Sequence, residues 1–133
     1  MQPADRIKAY FKACGTGTAS QIGSHFTADA VIYDTNLAPF KTSAEIGATW
    51  VKVRDRWQGA RWYVDSVVVD GACAAIEWSM TGTNPVDKRS FVFRGSEHYR
   101  FETDENLIAE IRQYWTFNPA VLDTGLKGYE YPI

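Results

Sequence analysis

The segment Ser90-Phe91-Val92-Phe93-Arg94-Gly95-Ser96-Glu97-His98-Tyr99-Arg100-Phe101 alternates without a break. Phe91, Phe93, Gly95, Glu97, Tyr99 and Phe101 fall on one side, and Val92, Arg94, Ser96, His98 and Arg100 on the other. This is the two-residue period of a β-strand with a single apolar face. One carboxyl, that of Glu97, stands in the middle of the aromatic face.

Working outward, Arg61 to Val69, Ala72 to Thr83 and Leu107 to Phe117 read in the same way. They are separated by Asp70-Gly71, Asn84-Pro85-Val86-Asp87 and Thr103-Asp104-Glu105-Asn106, which are turn sequences. Four long antiparallel strands are predicted. Upstream the period changes. Ile7, Tyr10, Phe11 and Cys14 recur at helical spacing and Gly15 follows, so a first helix runs from Ala4 to Cys14. Thr18 is the N-cap of a short second helix that carries Ile22 and Phe26 and ends around His25. Ala30 to Asp34 is a short strand stopped by the stretch from Asn36 to Thr42 with its Pro39, which leaves Asp34 at a strand end. Ser43 as N-cap, with Ile46, Trp50, Val51, Val53, Arg54 and Trp57 after it, marks a third, longest helix running to Gly59. Helices first and a strand meander after predict an α+β layer design.

The 133 residues, about 15 kDa, suit a single domain over 1–133 with an irregular C-terminal extension, 118–133. A composition 45% hydrophobic and 14% aromatic fills a core of that size. Net charge is −2 and the 14 basic residues are scattered, so no nucleic-acid partner is expected. Runs such as Val67-Val68-Val69 are too short for a membrane span and the N-terminus lacks the blocks of a signal peptide, so no membrane partner and a cytoplasmic location are expected. Cys14 and Cys73 have no partner pattern for a disulfide framework or a metal, and both are expected to be buried thiols; no metal site is predicted.

The element order, the segment Phe26-Thr27-Ala28-Asp29-Ala30-Val31-Ile32-Tyr33-Asp34, and the run Arg94 to Phe101 followed by Leu107 to Trp115 together resemble the nuclear transport factor 2-like superfamily, which includes ketosteroid isomerase and the SnoaL-like polyketide cyclases. The resemblance extends to Asn118. It implies a cone-shaped fold, with three N-terminal helices on a curved antiparallel or mixed sheet that encloses a cavity. It also implies an enzyme without cofactor, a small hydrophobic substrate and a back-to-back homodimer. Position by position, the ketosteroid isomerase pattern sets its helix tyrosine at Tyr10, its base at Asp34 and its second oxyanion-hole acid at Glu97. The acid there is ordinarily an aspartate, so Glu97 adds one methylene.

The chemistry of these residue types agrees with such roles. A carboxyl on a dry face resists ionisation and can donate a hydrogen bond at neutral pH, as Glu97 would. Tyr10 would be a second donor to a developing oxyanion, and Asp34, at the mouth, would move the proton. The same residues also have plainer readings, with Tyr10 as core and Asp34 as a turn cap. In the last strand, periodicity buries Leu107, Ala109, Ile111, Gln113 and Trp115 and leaves Ile108, Glu110, Arg112 and Tyr114 outside. The resemblance instead turns Glu110, Arg112 and Tyr114 toward the cavity, with the apolar set, including Leu107, Ile111 and Trp115, meeting a second copy. Trp78 and Tyr99 are expected to line the cavity. The leading reading is proton transfer next to a carbonyl, in an isomerase, cyclase or dehydratase. Water addition of the epoxide hydrolase type, carried by Glu110 and Arg112, and a non-catalytic binding or assembly module remain as alternatives.

Overall fold

The computed structural model describes residues 1–118 and 120–133. Helix α1, Pro3–Thr16, begins with Pro3 in its first turn, where a missing N–H costs nothing. It buries Ile7, Tyr10, Phe11 and Cys14, and runs past Gly15 to a C-cap at Gly17. Helix α2, Ala19–Gly23, starts from a reciprocal capping box between Thr18 and Gln21. Helix α3, Ser43–Arg56, is capped by Thr42 rather than by Ser43: the Thr42 hydroxyl accepts from the Glu45 N–H at 3.2 Å.

The strands are β1, Phe26–Asp34; β2, Phe40–Lys41; β3, Gln58–Asp70; β4, Cys73–Thr83; β5, Ser90–Glu102; and β6, Leu107–Tyr114. They form one mixed, unclosed sheet in the order β2-β1-β6-β5-β4-β3. β1 starts four residues before the expected Ala30 and takes in Phe26, expected on the second helix, because Phe26 pairs with Ile108. The β1–β6 pairing is parallel and the remaining ones antiparallel. Register shifts in β1, β3 and β6 bend the strands. The sheet therefore curves around the helices, as expected for the cone.

Side-chain phase along β6 settles its inward face. Gln113 lies opposite Glu97, Ile111 opposite Tyr99 and Ile108 opposite Phe101. Between Glu110 and Ile108 there is one residue more than between Arg100 and Phe101, so Ala109 is a bulge and Ile108 turns inward with Ile111. Both isoleucines are fully buried. Glu110, Arg112 and Tyr114 pair with Arg100, His98 and Ser96 on the outer face, where Tyr114 is half exposed and Arg112 pairs with Glu110 at 2.6 Å. Placing these three on the cavity side is thus overturned. So is the exposed apolar stripe meant for a second copy, because Ile111 is core and Trp115 belongs to the cavity.

Of the extension 118–133, Pro119 lies outside the described residues. The extension joins the sheet where β6 leaves β5 unpaired: Val92 N–H donates to Leu122 O and Thr124 N–H to Val92 O. Arg94, almost fully buried, fixes it further. Its guanidinium pairs with Asp123, donates to the Ile133 carbonyl at 2.9 Å and stacks on the Tyr131 ring. Cys14 is buried as expected, but Cys73, at the β3–β4 turn, is exposed. No helix among the described residues is long and apolar enough to cross a membrane.

Candidate active site

On the inner face of the sheet, Asp34, Gln113 and Glu97 stand in one row across β1, β6 and β5, in register. Two strand spacings put the two carboxyl-bearing residues ~10 Å apart. α1 brings Tyr10 over the Glu97 end of the row, and α3 brings Trp50 beside it.

The space between helices and sheet has two chambers. The inner one, about 20 Å³, is lined by Tyr10, Phe11, Cys14 and Glu97. That is room for about one water-sized group. The outer one, about 210 Å³, is lined by Asp34, Trp57, Met80, Phe93, Trp115 and Phe117 among others, and opens near Leu37 and Arg56. Trp50, Trp62, Trp78 and Gln113 border both chambers and form the waist between them. All five tryptophans of the chain line this cavity.

Electrostatics differ sharply along the row. Glu97 is 4% exposed, and burial pushes its carboxyl up to about 8; the charge of Asp34 adds to the shift, and a hydrogen bond from the Tyr99 hydroxyl opposes it. Tyr10, 2% exposed, is held well above the usual phenol range by burial and by its neighbours Cys14 and Glu97. The Cys14 thiol is also pushed up by burial. At neutral pH this end of the cavity therefore holds protonated groups only. Asp34, at the other end, is half-buried and its carboxylate accepts three hydrogen bonds. Gln113 Nε2 at 2.9 Å and Trp115 Nε1 at 3.0 Å reach Oδ2, and the Asn36 N–H at 2.6 Å reaches Oδ1. Asp34 thus caps the turn through Oδ1 and meets the cavity residues Gln113 and Trp115 through Oδ2.

Among the residues singled out in the sequence, the structure brings Tyr10, Glu97, Tyr99, Trp78 and Asp34 to the cavity or to a group in it, and leaves Glu110, Arg112 and Tyr114 outside. Sequence reasoning missed Gln113, which it buried without a role, and the convergence of Trp50, Trp57, Trp62 and Trp115 with Trp78. The signal available was the strand phase: Gln113 is a polar residue on the face of β6 that periodicity buries.

The chain matches the family model of the SnoaL-like domain over residues 7–111. It belongs to the SnoaL-like family. Solved structures share its fold within the nuclear transport factor 2 and ketosteroid isomerase class. One is a protein of ketosteroid isomerase-like fold from Catenulispora acidiphila in complex with trimethylamine: 16% identity, 86% of this chain and 88% of that one, TM-score 0.76. A protein of cystatin-like fold from Methylobium petroleophilum has 24% identity over 98% of this chain and 85% of its own, TM-score 0.74. The epoxide hydrolase/cyclase-like enzyme SalBIII, which acts in pyran ring formation in the polyether salinomycin, has 17% identity over 86% and 90%, TM-score 0.73. No curated protein matches the chain. Within the SnoaL-like domain match lie Tyr10, Asp34 and Glu97, whereas Gln113 and Trp115 lie beyond its end.

Proposed function

We propose that this SnoaL-like protein is a cofactor-independent enzyme that moves a proton next to a carbonyl on a small hydrophobic substrate, by isomerisation, cyclisation or dehydration. The observation that carries this reading is the two-chamber cavity with unlike acids at its ends. An inner chamber with room for one oxygen-sized group is flanked by the Tyr10 hydroxyl and a Glu97 held neutral by burial. The carbonyl oxygen fits there, with the substrate body in the outer chamber beside Asp34. Asp34 Oδ2 takes a proton from the carbon next to the carbonyl, and the C–H electron pair forms the enolate. Charge then builds on the inner oxygen, facing donors already in place. Returning the proton to another atom, closing a ring on an electrophilic carbon, or expelling a β-hydroxyl completes the three outcomes.

Two alternatives have less support. Water addition directed by Glu110 and Arg112 loses its residues, since that pair stands on the outer face. A pure binding module needs no second acid, and here two converge on one cavity. A homodimer, if formed back to back, would use the outer face around Tyr33, His98 and Tyr114, two of them about half exposed.

The test is Asp34→Asn. It keeps shape and turn capping and removes the proton acceptor, so turnover of a carbonyl substrate is expected to fall ~10²–10⁴-fold with binding retained. Full activity in the folded variant would refute the base role.

A further inference from the structure

Among the polar atoms bordering the waist, the Trp78 indole N–H and the Gln113 carbonyl oxygen Oε1 have no partner in the protein. Both residues are more than nine-tenths buried, at 4% and 6% exposure. The Trp50 N–H is a third such atom, though it lies close to the Tyr10 hydroxyl without reaching hydrogen-bond geometry. A buried donor or acceptor left unpaired costs the full desolvation of that group, so a cavity keeps such atoms where something else completes them. Trp115 offers the contrast, because its indole N–H in the same cavity is satisfied by Asp34.

The unpaired set is one sure donor and one acceptor. A trialkylammonium suits a tryptophan-lined box beside a carboxylate, but it has no lone pair for the Trp78 N–H. A bare ketone accepts from Trp78 and leaves Gln113 Oε1 empty. A hydroxyl does both, accepting from the indole and donating to the amide oxygen. We propose that the substrate of this site is a hydroxylated carbonyl compound, whose hydroxyl is read at the waist by Trp78 and Gln113. This rests on the proton-transfer reading for the place of the carbonyl, in the inner chamber. The hydroxyl then lies between that oxygen and the mouth, on the substrate body. In the unliganded protein a water can stand in for it, and the substrate hydroxyl replaces that water bond for bond.

A consequence is discrimination by a missing group. A cavity that hydrogen-bonds a hydroxyl rejects the analogue without it, since two buried atoms then go unpaired, whereas an extra apolar group changes affinity little. Trp78→Phe deletes the donor and keeps an aromatic wall. Gln113→Met deletes the acceptor at similar length, and also frees one of the three bonds on Asp34.

The experiment is calorimetric titration of the whole chain with α-tetralone, with its phenolic monohydroxy isomers, and with tetramethylammonium. At least one hydroxy isomer is expected to bind ~10-fold or more tightly than α-tetralone. Within Trp78→Phe, the hydroxy isomer's advantage over α-tetralone should shrink to less than ~3-fold, the ratio being read in the one variant so that any change common to both ligands cancels. Gln113→Met should do the same, which keeps the test open if the Trp78 variant fails to fold. Equal affinities across the tetralones, no binding by any of them, or tighter binding of tetramethylammonium overturns the proposal. Because the readout is equilibrium binding, the two ideas fail separately. An active Asp34→Asn protein removes the proton-transfer reading and leaves the hydroxyl preference standing; equal tetralone affinities do the reverse.

Discussion

Gln113 donates its side-chain amide to the Asp34 carboxylate across 2.9 Å, and does so from the residue that sits directly opposite Glu97 on the neighbouring strand. A single neutral amide therefore separates the two acids of the cavity. Its N–H faces the acid at the mouth, whose carboxylate accepts three hydrogen bonds, and the buried acid beyond it stays protonated to about pH 8. One strand spacing on either side of Gln113 thus leaves one carboxyl buried and neutral and the other hydrogen-bonded at the mouth, and under the proposed function these unlike environments divide the work between them.

Stability should fall as pH rises because of Glu97. In the fold its carboxyl titrates at about 8, against an ordinary 4.5. The folded state then binds more protons than the unfolded one between these values, so the contribution is fully present below about 4.5 and lost as pH approaches 8. Relative to Glu97→Gln, which cannot ionise, wild type should lose on the order of a few kcal/mol across that window. Denaturant midpoints measured at both ends check this. Parallel curves for the two proteins would show that Glu97 is not buried in the state described, and activity should decline above the same pH if its proton is needed.

Tyr10→Phe isolates one hydroxyl. The Tyr10 ring packs edge-on against Phe11 and Phe26, with centroids 5.6 and 5.0 Å away, and phenylalanine keeps both contacts. Thermal stability should therefore change little while turnover falls by ~10²–10³ through loss of an oxyanion donor. Steady-state kinetics and a melting curve on the same preparation separate the two effects. An unchanged turnover number would make Tyr10 a packing residue.

Gly95→Ala should disturb the cavity from behind. A Cβ at this position would meet the Tyr114 carbonyl at 2.6 Å, Trp78 Cζ2 at 2.7 Å and Trp115 Cβ at 2.8 Å. Two indoles occupy the space a side chain would need, and one of them donates to Asp34. Over-packing of this kind costs ~1–3 kcal/mol. Chemical denaturation should register it, together with weaker ligand binding; wild-type stability would mean that β5 gives way locally.

Arg94→Lys should loosen the C-terminal extension without unfolding the sheet. Lysine keeps the charge but not the planar fork that pairs with Asp123, reaches Ser79 at 2.9 Å and holds the Ile133 carbonyl. Limited proteolysis should then cut within residues 120–133 sooner than in wild type, leaving a resistant core. An identical cleavage time course would place the anchor in the backbone pairs at Val92 instead.

Three helices, the strand ending at Asp34 and four long strands were legible because period and capping decide them: Tyr10 and Glu97 land on apolar faces whatever lies opposite. Asp34 at a strand end and Glu97 among aromatics follow from the same alternation. Which strands become neighbours is not local. The parallel pairing of β1 with β6 sets Asp34 beside Gln113, and only that long-range contact gives Gln113 a role. The Ala109 bulge likewise belongs to the pairing with β5: one extra residue turns Ile108 inward, against the strict alternation of β6, with Glu110, Arg112 and Tyr114 left on the outer face. The five tryptophans lie between positions 50 and 115, and no spacing in the chain announces that they share a cavity. The sequence determined the faces, because side-chain period is a property of each strand and helix alone. The tertiary structure decided the site, because register and curvature choose which of those faces meet.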